Sequence, residues 1–238
     1  MRKVDPTALC SDLQKEIDSL LEFYRAAVDL MRLRGENPKK HISLLAEVVF
    51  HRGCVAVESF LSAWFVGCLN QDAAVYVEWL KNSIRQSISN KCGLCIDTFV
   101  EFKTPKHLSR HVVEELLDPE GKNVTFCDLD EMEKRAREWL VPIWASKISG
   151  IPRNRKVILN TARAIRNCIA HQSTRSFHEM NEAIKRLPKE DVATHLRIKT
   201  NSVKKVGSYL RTRMNGKSRV EIFFEEFKRF AGNLDGEQ

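Results

Sequence analysis

Residues 44–69 read LLAEVVFHRGCVAVESFLSAWFVGCL, a run that is apolar around most of its girth at helical spacing. A helix of this kind cannot lie on the outside of a soluble domain, so the sequence predicts a central helix over about 42–69. The same periodicity recurs on either side. Leu9, Leu13, Ile17, Leu20, Tyr24, Ala27/Val28 and Met31 return every three or four residues and predict one long helix, 6–34, ending at RGENPKK. DAAVYVEWLKNSIRQSI predicts a third helix.

Downstream, Asp128 with Glu131 gives a capping-box-like start to LDEMEKRAREWLVPIWASKI, which Pro142 should kink or split. SGIPRN breaks the chain before a helix over 153–171, and Ser176 with Glu179 forms a capping box ahead of HEMNEAIKRL. VATHLRI and NSVKKVGSYLRTRM precede a C-terminal helix, 218–231. The one departure is SNKCGLCIDTFVEFKTP, a short irregular or β-like stretch near 90–103 within an insertion over 90–125. Thr104-Pro105 then reads as the N-cap and first residue of the next helix. The expectation is an all-α protein, a compact helical bundle forming a single domain over 1–238 with its core in 40–215.

The apolar fraction of 43% and charged fraction of 29% are those of a soluble globular protein. No run of about 18 apolar residues occurs, so no membrane span is expected. The N-terminus MRKVDPTALCSDLQKEI lacks the apolar core of a signal peptide, and a cytoplasmic location is expected. Seven cysteines lack disulfide-framework spacing, and Cys54, Cys68 and Cys168 fall within apolar helical patterns, as reduced, buried thiols do.

Charge is unevenly spread. Between Lys147 and Arg219 there are 18 Lys/Arg against 4 Asp/Glu, a net of +14, whereas the rest of the chain holds 21 against 27, a net of −6. Solvated helix faces normally mix both signs; clustered cations suit a polyanionic partner such as nucleic acid, with an acidic protein as the rival. Arg163, Arg175, Lys199, Lys204, Lys205, Arg211 and Arg213 are the expected phosphate-binding residues. VATHLRIKTNSVKKVGSYL has the outline of a helix-turn-helix, but Arg197 and Lys199 occupy a turn where glycine is usual.

The same segment contains RNCIAH, 166–171. Asn167 and His171 are four apart and share a helix face. Arg166 and His171 are five apart, about 140° round a regular helix, so one straight helix does not aim both at one atom. The geometry improves if His171 lies at the helix end or if two copies of the helix meet across a two-fold axis. Chemically, histidine moves protons near neutral pH, arginine holds a phosphate and the charge developing on it, and asparagine orients either. A ribose 2′-OH could then attack the adjacent phosphate with no metal or other cofactor. A capping histidine beside a surface arginine is the plainer alternative.

RNCIAH resembles the R-x4-H signature of the HEPN superfamily, including the polar residue after arginine and the alanine before histidine. Its setting is also similar: an all-α chain, a preceding amphipathic helix and an earlier apolar helix carrying Glu58. The layout is most like the RiboL-PSP-type HEPN proteins of prokaryotic toxin and defence systems. The resemblance implies a metal-independent endoribonuclease acting as a homodimer on cellular RNA, with two motif helices forming one composite cleft. It assigns His171 as acid/base, Arg166 as phosphate clamp, Asn167 as the orienting residue and, more loosely, Glu58 as a further catalytic residue or simply the partner of a buried cation. An antitoxin or sensor protein is the further partner it implies.

Two other readings stay open. A non-catalytic HEPN-like module could use the basic surface to hold RNA or protein. A zinc-containing nucleic-acid-binding protein could use Cys92, Cys95, His107 and His111, two Cys-x2-Cys and His-x3-His pairs separated by eleven residues. Trp64, Trp79, Trp139 and Trp144 sit in helical patterns and read as core or interface rather than base-stacking platforms.

Overall fold

The computed structural model describes residues 3–34, 36–92, 101, 108–117, 126, 128–198 and 200–236. These are all-α, as expected, apart from one two-stranded hairpin. The helices are α1 (Pro6–Arg34), α2 (Pro38–Gln71), α3 (Ala74–Cys92), α4 (Arg110–Leu117), α5 (Leu129–Trp139) and α6 (Pro142–Ser149). They continue with α7 (Arg153–His171), α8 (Thr174–Arg186), α9 (Ala193–Leu196), α10 (Val206–Arg211) and α11 (Arg219–Asp235). The hairpin pairs β1 (Arg213–Met214) with β2 (Lys217–Ser218).

Contacts group the chain into two compact units. One comprises Met1–Leu9 and Leu61–Gly150, the other Cys10–Phe60 and Ile151–Gln238. Neither is one continuous stretch of chain.

In the first unit, Val4 N donates to Asn70 Oδ1 at 2.9 Å, and Asn70 Nδ2 donates to the Leu108 carbonyl at 2.9 Å. Buried Asn70 thereby satisfies backbone groups from two segments remote in sequence. The four tryptophans pack on aromatic neighbours: Trp64 on Trp144 at 6.1 Å between ring centroids, Trp139 on Phe65 at 6.1 Å and on Trp79 at 5.1 Å. Asp128 caps α5 by accepting from Glu131 N at 2.8 Å. Leu140 and Val141 are extended, and Pro142 opens α6 at a first-turn position where its missing N–H costs nothing. The pattern 128–148 is thus two helices, split at the proline.

Several expectations are corrected here. α3 runs through 89–92, so the irregular stretch cannot begin there; residues 93–100 and 102–107 lie outside those described. Leu108 and Ser109, within the helix expected after Thr104-Pro105, are non-helical, and Val112 N donates to Ser109 Oγ where α4 begins at Arg110; Thr104 and Pro105 lie outside the described residues. The described β-structure lies at 213–218, which the sequence reading did not anticipate; there Asn215 (φ 48°) and Gly216 (φ 82°) form the two-residue turn. Both positions need positive φ, which Asn-Gly supplies at little cost.

α2 is long and apolar enough to cross a membrane by length and composition, where the sequence reading excluded a span; 67% of its most apolar window is buried within the protein.

In the second unit, α1 buries Cys10, Leu13, Ile17, Leu21, Tyr24 and Val28, so Leu21 takes the core position expected of Leu20. α11 is buried almost all round. Its Phe223 meets Phe50 of α2 edge-on at 5.1 Å, and Phe230 meets Phe60 at 6.3 Å. Each fully buried phenylalanine contributes on the order of 1.5–3 kcal/mol. Gly53 is the close-approach point, since a Cβ there would overlap the Phe224 ring. α7 is tied to α11 where Arg155 donates to Glu226 (Nε–Oε2 3.2 Å) and to Asn233.

Buried Arg219 is the second tie. It donates to the carbonyls of His195 (3.0 Å), Tyr209 (3.1 Å) and Arg197 (2.9 Å), and its guanidinium lies 4.5 Å from the Tyr209 ring centroid. This staples 193–211, otherwise two very short helices, onto α11. Burial pushes the Arg219 pKa down, with Tyr209 opposing.

A candidate arginine–histidine site

α7 carries RNCIAH in its last two turns. Its buried face is Ile158, Leu159, Thr161, Ala162, Ile165 and Cys168, whereas Val157 and Ile169 are only half-buried. Helical spacing suggests a buried stripe of Val157/Ile158, Ala162, Ile165 and Ile169; Ile158, Ala162 and Ile165 hold it, with Cys168 in place of Ile169 at its end. Asn167 is half-buried and Ala170 exposed.

Arg166 projects toward α2. Its Nη2 donates to Glu58 Oε2 at 2.9 Å and its Nη1 to Asn167 Oδ1 at 2.9 Å. The arginine side chain is 26% exposed and the glutamate 35%, so the pair is partly shielded from water. Arg166 Nε is buried and has no hydrogen-bond partner among the described residues. Two of the four N–H groups on the terminal nitrogens are engaged by Glu58 and Asn167, and two remain for an anion.

One turn earlier on each helix, Cys54 Sγ donates to the Ala162 carbonyl at 3.8 Å. Burial first, and then the Glu58 carboxylate, push the Cys54 thiol well above its ordinary pKa, with Arg166 opposing. Cys54 is thus a neutral packing group beside the site rather than a thiolate nucleophile.

His171 is the final residue of α7 and its side chain is exposed, with no hydrogen bond among the described residues. Gln172 takes a left-handed conformation (φ 48°), and its N–H donates to the Cys168 carbonyl at 3.0 Å, closing the helix. Ser173 then caps α8: Ser176 N donates to Ser173 Oγ at 3.1 Å, and Ser173 N to Ser176 Oγ at 3.0 Å. The capping box is therefore Ser173/Ser176, not Ser176/Glu179. α8 starts three residues earlier than the sequence suggests, and Glu179 instead accepts from Arg175 at 2.7 Å. The two-residue link holds His171 and Arg175 at the same end of the α7–α8 pair.

The expected phosphate-binding cations divide. Lys204 and Lys205 are exposed, and Arg163 is half-buried. Arg175 pairs with Glu179, Arg211 donates to Ser43 Oγ at 2.7 Å, and Arg213 donates to the Gly216 carbonyl within the hairpin. Lys199 lies outside the described residues. Much of the +14 segment is engaged internally: Arg155, Arg166, Lys185 and Lys217 pair with carboxylates, and Arg197 and Arg219 bind backbone carbonyls. Arg197 takes the Lys185 and Leu187 carbonyls at the end of α8, so it closes that helix rather than a DNA-reading turn.

Of the alternative zinc set, Cys95, His107 and the Cys92 side chain lie outside the described residues. His111 is exposed on α4, 3.4 Å from Glu115.

Sequence reasoning placed Arg166, Asn167, His171 and Glu58 but missed Cys54 as their neighbour and Arg219 as the staple. The signal for Arg219 was present: an arginine opening a helix, RVEIFFEEF, in which Val220, Ile222, Phe223, Phe224 and Phe227 make most of the face apolar.

Compared with family models, curated proteins and solved structures, the chain matches none.

Proposed function

We propose that the chain is a metal-independent endoribonuclease of HEPN type, cleaving RNA by attack of a ribose 2′-OH on the adjacent phosphate, with a composite site formed in a homodimer. The observation that carries this reading is the Arg166 guanidinium, fixed by Glu58 and Asn167 on a helix that ends at an unengaged, exposed His171. A guanidinium held by two neighbours binds a phosphate with little further loss of side-chain entropy. An imidazole free of protein partners can take the 2′-OH proton or protonate the 5′-oxygen leaving group.

In this reading His171 is the acid/base, Arg166 the phosphate and transition-state clamp, Asn167 and Glu58 the groups that position it, and Lys204, Lys205 and Arg163 sequence-independent phosphate contacts. A toxin or defence role, restrained by an antitoxin or sensor protein, accompanies the HEPN assignment. Purified protein incubated with total RNA in excess EDTA should yield fragments with 2′,3′-cyclic phosphate ends. The His171→Ala and Arg166→Ala proteins, folded by circular dichroism, should yield none. Cleavage that survives both substitutions rules this site out.

A further inference from the structure

We propose that a cavity between the C-terminal end of α8 and the segment 197–201 binds a nucleotide, held by its phosphate. The proposal does not depend on the ribonuclease reading.

A segment pinned at both ends makes the cavity. Arg197 Nη1 donates to the carbonyls of Lys185 (3.1 Å) and Leu187, and the Arg197 carbonyl accepts from buried Arg219 at 2.9 Å. At the other end Val203 N donates to Asn181 Oδ1 at 2.6 Å, and Asn181 Nδ2 donates to the Val203 carbonyl at 3.2 Å. The chain between these pins therefore runs back along roughly the last two turns of α8. There it leaves a cavity of about 290 Å³, lined by Ile184 and Lys185 of α8 and by Arg197, Ile198, Thr200 and Asn201. That is the small end of ligand sites, the size for one nucleotide rather than a larger cofactor.

The lining combines positive charge with apolar walls. Arg197 uses only Nη1 on the helix end, and no hydrogen bond among the described residues engages its Nε–Nη2 edge. Such an edge pairs with a phosphate through two parallel bonds. Lys185 adds a second cation; Glu182 takes one of its three donors at 2.7 Å and leaves two. Residues 185–205 hold seven Lys/Arg against two Asp/Glu, a net of +5, so the local field favours an anion. The partial negative charge of the α8 C-terminus opposes this, but Arg197 Nη1 already covers it. Fully buried Ile184 and half-buried Ile198 give a base ring apolar surface to pack on. The exposed Asn201 amide offers the base edge both a donor and an acceptor.

Inorganic phosphate would leave the apolar walls unused, and an uncharged nucleoside would leave the Arg197 edge unused; a nucleotide uses both. Because Arg197 is held by side chain and carbonyl alike, binding has little left to order. From Thr174 to Lys185 α8 rises about 17 Å, so the cavity is separate from the His171 end of the α7–α8 pair. A free nucleotide and the phosphorylated end of a nucleic-acid chain carry this same chemistry.

The test is calorimetric titration of the full-length protein with AMP, adenosine, inorganic phosphate and a DNA tetranucleotide bearing a 5′-phosphate. AMP should bind once per chain, at least about 10-fold more tightly than adenosine or phosphate. Lys185→Gln should weaken AMP about 10-fold, as the loss of a charged contact does. Ile198→Trp, which fills the cavity, should abolish binding, and Arg166→Ala should leave it unchanged. Circular dichroism keeps misfolded variants out of the comparison. Tetranucleotide binding that Ile198→Trp abolishes together with AMP binding makes the ligand a chain end; AMP binding alone makes it a free nucleotide. No binding of AMP, or AMP binding unmoved by Ile198→Trp, overturns the proposal. So does binding that Arg166→Ala removes, and phosphate held as tightly as AMP removes the nucleotide.

Discussion

Glu58 holds Arg166 by a single contact, Nη2 to Oε2 at 2.9 Å, across two helices that Cys54 and Ala162 join one turn earlier. The arginine is therefore a fixed group, while His171 at the end of the same helix is held by no side chain among those described. This division, a fixed guanidinium and, five residues on, an unengaged imidazole, sets what each substitution should do.

Arg166→Lys keeps the charge but loses the planar fork that reaches Glu58 and Asn167 together. Cleavage should fall by at least about 100-fold, close to the loss for Arg166→Ala. Glu58→Gln should cost stability of about 1–3 kcal/mol, because it leaves a half-buried guanidinium without its counter-charge. Urea denaturation and initial cleavage rates check the two effects separately.

His171→Ala should leave stability within about 0.5 kcal/mol of wild type, since an exposed side chain without partners is removed. Cleavage should be abolished all the same. A variant that unfolds more easily would show that His171 serves the helix end instead.

Gly53→Ala sets two effects against each other. Alanine gains about 1 kcal/mol of helix propensity over glycine, but its Cβ overlaps the fully buried Phe224 ring. Overpacking of a buried ring costs about 1–3 kcal/mol, and Phe224 is fully buried, so a net loss is expected in thermal unfolding.

Glu221 predicts an acid limit. Burial acts to raise its pKa, but hydrogen bonds from the Ser218 backbone N–H, the Arg25 side chain and the Ser218 hydroxyl together hold it below the ordinary carboxylate value. A depressed folded-state pKa stabilises above the unfolded value of about 4.3, and this contribution fades as pH falls through the folded-state value. Wild type should therefore lose more stability between pH 6 and pH 3 than Glu221→Gln, a difference that denaturant melts at the two pH values measure.

Much of the fold was legible because its signals are local. Helical spacing marked α1, α2 and α7, a proline split α5 from α6, and the six residues 166–171 picked out Arg166, Asn167 and His171 within one helix. Other features turned on partners remote in sequence. Whether Ser173 or Ser176 caps α8 depends on where the chain leaves α7, and whether Arg197 or Arg219 faces a phosphate depends on which carbonyls lie within reach.

Residue order alone determined the helical class and the set of side chains able to do proton and phosphate chemistry, because both follow from periodicity and residue type over a few turns. Only the tertiary structure decided that Arg166 faces Glu58, 108 positions away, that half of the basic segment is engaged internally, and that Phe23, Leu30, Leu44 and Val48 stay exposed. Those outcomes depend on how helices are rotated about their axes against one another, which core packing across distant segments sets and no local pattern encodes.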